Sequence, residues 1–177
     1  EIQPIVKRVI HTTADFDFKK SLVFHPDAVK AGVVAIKAGK DILTDVEMVK
    51  TGINKKLLQK WGGKVICRIP DAGLEDSEAG NQTRSELGIE RALKENSNIG
   101  IIAIGNAPTA LFKAIDMAGV SETPPLVIGV PVGFVKAIES KSYLAKQSFP
   151  FITNISRKGG STVAVAIVNA LLKIAEE

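Results

Sequence analysis

One cysteine in 177 residues excludes an internal disulfide, and two histidines leave little from which to build a metal centre. His11, His25 and Cys67 stand at no metal-ligand spacing, so no metal site is expected. Cys67 falls in the apolar run Val65-Ile66-Cys67, where a buried, inert thiol is the plain reading. Aromatic residues are only 5% of the chain. Small and β-branched side chains must therefore fill the core, which suits parallel strands covered by helices. No apolar run reaches the length of about 18 residues that a membrane span needs, and no signal-peptide pattern is present, so a cytoplasmic protein without membrane contact is expected. Neither GxGxxG after the first strand nor GxxxxGK[ST] occurs, which argues against dinucleotides and nucleoside triphosphates. Lys and Arg are spread along the chain with no dense basic stripe, which argues against nucleic acid.

What the chain does contain is an ordinary globular composition, 45% hydrophobic and 24% charged, in a length suited to one domain. Its net charge of +4 describes a solvated surface first, and a field that favours an acidic small molecule second. Five short apolar runs read as strands: Ile42 to Thr44, Lys64 to Ile69, Ile99 to Ile104, Leu126 to Val130 and Phe151 to Ile155. Most are continuously apolar, as strands buried on both faces are. Helical spacing separates them, from Asp45, over Thr83 to Lys94, Pro108 to Ala118, Gly133 to Leu144 and Ser161 to Glu177, with an edge helix over Ile2 to Ile10. Thr83 and Glu86 occupy the places of a capping box. The alternation predicts an α/β fold, a three-layer α/β/α single domain with a mostly parallel five-stranded sheet.

Right-handed crossovers place every strand-to-helix loop on one edge of such a sheet, where open α/β folds bind ligands. Those loops are Thr44-Asp45, Gly105-Asn106-Ala107-Pro108, Pro131-Val132-Gly133 and Arg157-Lys158-Gly159-Gly160-Ser161. Glycines allow close approach and helix N-termini offer unpaired N–H groups, so the edge suits anionic groups. The same residues also serve plain architecture. In Ala103 to Phe112, Asn106 is placed to cap the following helix and Pro108 to enter its first turn.

Several of these stretches occur together in one family. Ala103-Ile-Gly-Asn-Ala-Pro-Thr-Ala-Leu-Phe112 and Ile128-Gly-Val-Pro-Val-Gly-Phe-Val135, followed by Glu139-Ser140-Lys141, resemble the precorrin-8X methylmutases, or precorrin isomerases, including the cobalt-precorrin-8 methylmutases. Arg8-Val-Ile-His11, Asp45-Val-Glu-Met-Val49, Asn81-Gln-Thr-Arg-Ser85 and Arg157-Lys-Gly-Gly-Ser161 extend the resemblance in the family's order over nearly the whole chain. It implies an isomerase of cobalamin biosynthesis that moves a methyl group from C11 to C12 of the corrin ring. The substrate would be cobalt-precorrin-8, giving cobyrinate, or precorrin-8X, giving hydrogenobyrinate. It implies no redox cofactor and a homodimer. Family members begin with a leader ahead of the histidine-bearing helix, so the reading over 1–177 is an isomerase domain lacking that leader.

The resemblance makes His11 the catalytic residue, passing a proton to a ring nitrogen near the migrating methyl. Imidazole titrates close to neutral pH and suits a proton that is given and recovered. Taken without the resemblance, His11 is a helix-end or surface histidine. Arg84 is the expected carboxylate clamp, through paired guanidinium hydrogen bonds, or else an exposed helix arginine. Thr83 and Ser85 add hydroxyl contacts or cap that helix. Gly105, Asn106 and Thr109 in one loop, and Gly133 with Phe134 in the next, are expected against the substrate, Phe134 on the macrocycle or a partner subunit. Gly159, Gly160 and Ser161 would receive a further carboxylate at the final helix. Asp45 and Glu47 repel carboxylates and are expected to orient His11, Arg84 or loop amides. Two other readings are a corrinoid-binding carrier that performs no chemistry and a flavodoxin-like FMN module.

Overall fold

The computed structural model describes residues 2–68 and 82–177. The chain runs α1 (Gln3–Thr13), α2 (Phe18–Ser21), β1 (Leu22–Phe24), α3 (Ala28–Lys37), β2 (Asp41–Thr44), α4 (Glu47–Gly52), α5 (Lys55–Gln59) and β3 (Val65–Cys67). It continues through α6 (Arg84–Glu95), β4 (Ile99–Ile104), α7 (Pro108–Gly119), β5 (Leu126–Gly129), α8 (Ala137–Leu144), β6 (Phe151–Asn154) and α9 (Ser161–Glu176). Six strands form one sheet in the order β1-β6-β5-β4-β2-β3. All neighbours are parallel except β1, which pairs antiparallel with β6 through Leu22 and Asn154, Val23 and Thr153, and Phe24 and Ile152.

Side chains alternate across the sheet, because successive residues of a strand face opposite sides. Ile42, Ile101, Ala103, Leu126, Ile128 and Ile152 join one core cluster under α1, α3, α4, α5 and α9. Leu43, Ile102, Ile104, Val127 and Phe151 join the other, under α6, α7 and α8. The three-layer α/β class therefore stands, with six strands in place of five. The extra strand, β1, has only three half-buried residues, too few to show a period. The helix expected at the edge, α1, instead packs along α9, with Ile5 and Val9 buried. The expected helix from Gly133 starts only at Ala137, because Gly133 and Lys136 both take positive φ, 143° and 59°. Ile69, the last residue of the expected second strand, lies outside the described residues, and the strand observed is Val65–Cys67.

Helix α9 is the spine of its layer, buried at Val163, Ala164, Ala166, Ile167, Val168, Ala170, Leu171 and Leu172. Burying a leucine or isoleucine side chain contributes about 1.5–3 kcal/mol, so this helix is anchored along its length. Its first residue, Ser161, thereby becomes a fixed point on the carboxyl edge of the sheet.

Candidate functional site at the carboxyl edge

Strands β2 and β4 are neighbours, yet the helix after β2 packs on one face and the helix after β4 on the other. Such a reversal opens a crevice between the two loops, where doubly wound folds take their ligands. Here a carboxylate of the protein itself spans it. Asp45, with no exposed surface, accepts from Gly105 N at 3.0 Å through Oδ1 and from Asn106 N and Ala107 N at 2.8 Å through Oδ2. Burial pushes its carboxyl up from the usual range, while the Gly105, Ala107 and Asn106 amides pull the other way. Of the roles expected for Asp45, orienting loop amides is the one the geometry displays. Glu47 instead pairs with Lys50 at 3.2 Å.

The staple changes the reading of the β4–α7 loop. Asn106 does not cap α7; Ala107 holds the cap position without a side-chain bond, and Pro108 opens the helix as expected. The Gly105 N–H faces Asp45, not a ligand. A Cβ on Gly105 would lie 2.8 Å from Ser161 Cα, so glycine is what lets this loop touch the start of α9. Gly133 N likewise donates to Arg157 O at 3.2 Å, and Gly160 N to Val130 O at 2.8 Å. The N–H groups of Gly105, Gly133 and Gly160 are thus spent inside the protein. Gly159 differs. Its φ of +153° and a Val130 oxygen 2.3 Å from any added Cβ exclude other residues, and its N–H has no partner among the described residues.

The start of α6 is drawn to the same edge. Thr83 and Glu86 form the expected capping box, with Glu86 N donating to Thr83 Oγ1 at 3.2 Å and Thr83 N to Glu86 Oε2 at 2.7 Å. Thr83 Oγ1 also lies 3.0 Å from Thr109 Oγ1 in the first turn of α7, which joins the starts of the two helices. Arg84 follows as an exposed residue of the first turn, and Ser85 beside it is half-buried. Asn81, from the same expected motif, lies outside the described residues. Glu90 bonds Lys94 of its own helix at 2.6 Å and ties α6 to α7 through Lys113 at 3.2 Å. Hydrogen bonds from Lys94, Lys113 and Gln82 hold its carboxyl down at about 2. Because its folded value lies below the ordinary 4.5 of a free glutamate, this stabilisation is present above pH 4.5 and is lost as pH falls through about 2. Glu90→Gln should cost about 1 kcal/mol or less at pH 7, since such pairs face water, and nothing below pH 2. Urea unfolding of both proteins across that range measures it.

His11 is exposed on the last turn of α1. The chain leaves α1 through Ala14 in the left-handed region, and Asp15 and Asp17 then reach Lys158 Nζ at 2.7 and 2.6 Å. These pairs tie the His11 end of α1 to the β6–α9 loop. A cavity of about 570 Å³ opens between α1, α4 and α9, lined in part by Arg8, Thr12, Met48, Ser161 and Thr162. His11 lies one turn beyond Arg8 on the same helix. Asn169 fixes the cavity wall by accepting from Asn54 N at 2.8 Å and donating to Gly52 O at 3.0 Å. Phe134 is 87% exposed, with the Arg157 guanidinium 5.8 Å from its ring centre. The edge thus carries Arg8, Arg84, Arg157 and the N-terminus of α9, donors that can receive carboxylates, while His11 does not line the cavity and stands exposed one turn beyond Arg8.

Sequence reasoning did not single out Arg8, Thr12 and Thr162 as lining residues, nor the buried Lys141. Helical position places the first three beside His11 and Ser161, a weak signal; Lys141, a lone cation between apolar Ala137 and Leu144, was the stronger one.

Comparison with known proteins gives the family and its fold. A sequence model of the family described as precorrin-8X methylmutase matches residues 1–174. A cobalt-precorrin-8 methylmutase of Priestia megaterium is 51% identical over 178 residues, covering 99% of this chain and 79% of that protein. A solved precorrin-8X methyl mutase of Thermus thermophilus superposes with a TM-score of 0.87 at 37% identity, over 98% of this chain and 84% of that one. A second solved structure, a precorrin-8X methylmutase related protein, gives 0.91 at 31% identity over 98% and 91% of the two chains.

Proposed function

This chain belongs to the precorrin-8X methylmutase family, isomerases of cobalamin biosynthesis, and from that premise we propose that its carboxyl edge binds cobalt-precorrin-8 and moves a methyl group from C11 to C12 of the ring. The likeness to the Priestia enzyme supports the cobalt-containing substrate over precorrin-8X. The observation that carries the binding reading is the crowding of cations and unengaged amides at one edge. Arg8, Ser161 and Thr162 border the cavity, Arg84 stands beside the Thr83–Thr109 link, and the Gly159 N–H faces no protein acceptor among the described residues. A ligand with carboxylates around its rim needs several such donors at once.

In this reading His11 gives a proton to a ring nitrogen near the migrating methyl and recovers it after the shift. Protonation makes the conjugated ring an electron sink and favours the rearranged double bonds. The methyl group leaves C11 and bonds to C12, so substrate and product have the same atoms. Arg84 holds a rim carboxylate, with Asn106, Thr109 and Ser85 as polar neighbours. Gly105, Gly133 and Gly160 shape the loops that carry these groups, and Ser161 opens the helix that faces the rim. A second copy of the chain covers Phe134, Val135 and Val132, which stand 87%, 78% and 48% exposed in a single loop.

Incubating the purified protein with each substrate and following the absorption spectrum tests the activity. Conversion of cobalt-precorrin-8 supports it; tight binding with an unchanged spectrum instead supports a corrinoid carrier. Arg84→Ala should weaken corrinoid binding about 10- to 100-fold, the worth of a hydrogen bond to a charged group. Titration calorimetry with the product measures it, and unchanged affinity removes Arg84 from the binding surface.

A further inference from the structure

Lys141 is a buried charge that the reading above does not use. It lies on α8 with no exposed surface, and among the described residues no carboxylate pairs with it. Its ammonium instead meets three oxygens: the Lys158 carbonyl at 2.9 Å, Asn154 Oδ1 at 3.4 Å and the Ser156 carbonyl. Burial pulls its pKa down to about 8, which still leaves it protonated at neutral pH. Taking an ion out of water costs several kcal/mol, and apolar residues of similar volume often serve stability as well. Stability alone is therefore a poor reason for a lysine here.

Its effect on the loop is geometric. In a trans peptide the C=O and the next residue's N–H point in opposite directions, and no cis peptide occurs among the described residues. Drawing the Ser156 and Lys158 carbonyls onto Lys141 therefore turns the Arg157 and Gly159 N–H groups away from it. Neither N–H has a partner among the described residues. Asn154 Nδ2 reinforces the arrangement by donating to the Lys158 carbonyl and to Ser156 Oγ, each at 2.9 Å, while Lys158 N donates to Ser156 Oγ at 3.2 Å. The same loop sends the Lys158 side chain to Asp15 and Asp17, beyond His11. A cation beneath these peptides also favours an anion above them.

We propose that Lys141 is a positioning residue for substrate binding: by holding the Ser156 and Lys158 carbonyls inward, it presents the Arg157 and Gly159 amides to a carboxylate on the corrinoid rim. This rests on the corrinoid reading of the edge. Lys141→Met should raise KM for cobalt-precorrin-8 about 10- to 100-fold while kcat falls less than about threefold, because the lost donors hold the rim and not the reacting carbons. In wild-type protein, the metal-free product hydrogenobyrinate should shift the Arg157 and Gly159 amide resonances on binding. An unchanged KM in folded Lys141→Met overturns the proposal, as does a loss confined to kcat. If that variant fails to fold, the wild-type resonances decide: amides that stay still while product binds refute it. Wild-type turnover with either negative result removes only the role of Lys141. Wild-type protein that neither converts nor binds the corrinoids removes the underlying reading and this proposal together.

Discussion

His11→Ala is expected to lower kcat for methyl migration about 10²–10⁴-fold, the usual contribution of a positioned general acid–base group. Product affinity should stay within about threefold, because the carboxylate contacts assigned here come from the arginines and loop amides, not the imidazole. The separation is physical. His11 is exposed at the end of α1, and the Asp15 and Asp17 pairs with Lys158, which hold that end in place, do not involve its ring. The alanine variant should therefore keep its fold and its cavity. Single-turnover absorption measurements with cobalt-precorrin-8, beside calorimetry with product, separate the two quantities. Normal turnover would take His11 out of the mechanism, and lost binding with unchanged chemistry would make it a contact residue.

The second large effect is on stability. Asp45→Ala should destabilise the fold by about 3–5 kcal/mol, because one buried group satisfies three amides and its loss leaves the Gly105 N–H unpaired in the interior. Asp45→Asn keeps the volume, but its amide nitrogen is a donor facing donors, so it should recover only part of the loss. Urea denaturation measures both, with an unchanged m-value showing that the folded state and not the unfolded chain was altered. Activity should fall in both variants, since Gly105 abuts Ser161 and a loosened β4–α7 loop frees the α9 start. An Asp45→Asn protein as stable as wild type would show that the staple is dispensable.

These two residues also mark the limits of the sequence. His11 emerged only through a family resemblance, because a single histidine at a helix end carries no spacing to interpret. Asp45 was legible as a carboxylate on an edge expected to attract carboxylates, hence as an orienting group. That it spends the very amides expected to meet the ligand depends on a contact spanning about 60 residues of chain. Lys141 stands at helical spacing between apolar Ala137 and Leu144, which hints at its burial, but its hold on the β6–α9 loop belongs to no local pattern.

By itself the sequence determined the α/β class, the short apolar central strands, the capping box at Thr83, the proline entry to α7 and the single edge that gathers the loops. These follow from local periodicity, backbone preference and the handedness of crossovers, all of which act over a few residues or one connection. The tertiary structure alone decided the antiparallel β1 edge, the docking of α1 on α9 and which amides remain available for a ligand. Hydrogen bonds between loops distant in the chain set that availability, and a donor already bound inside the protein has nothing left to give.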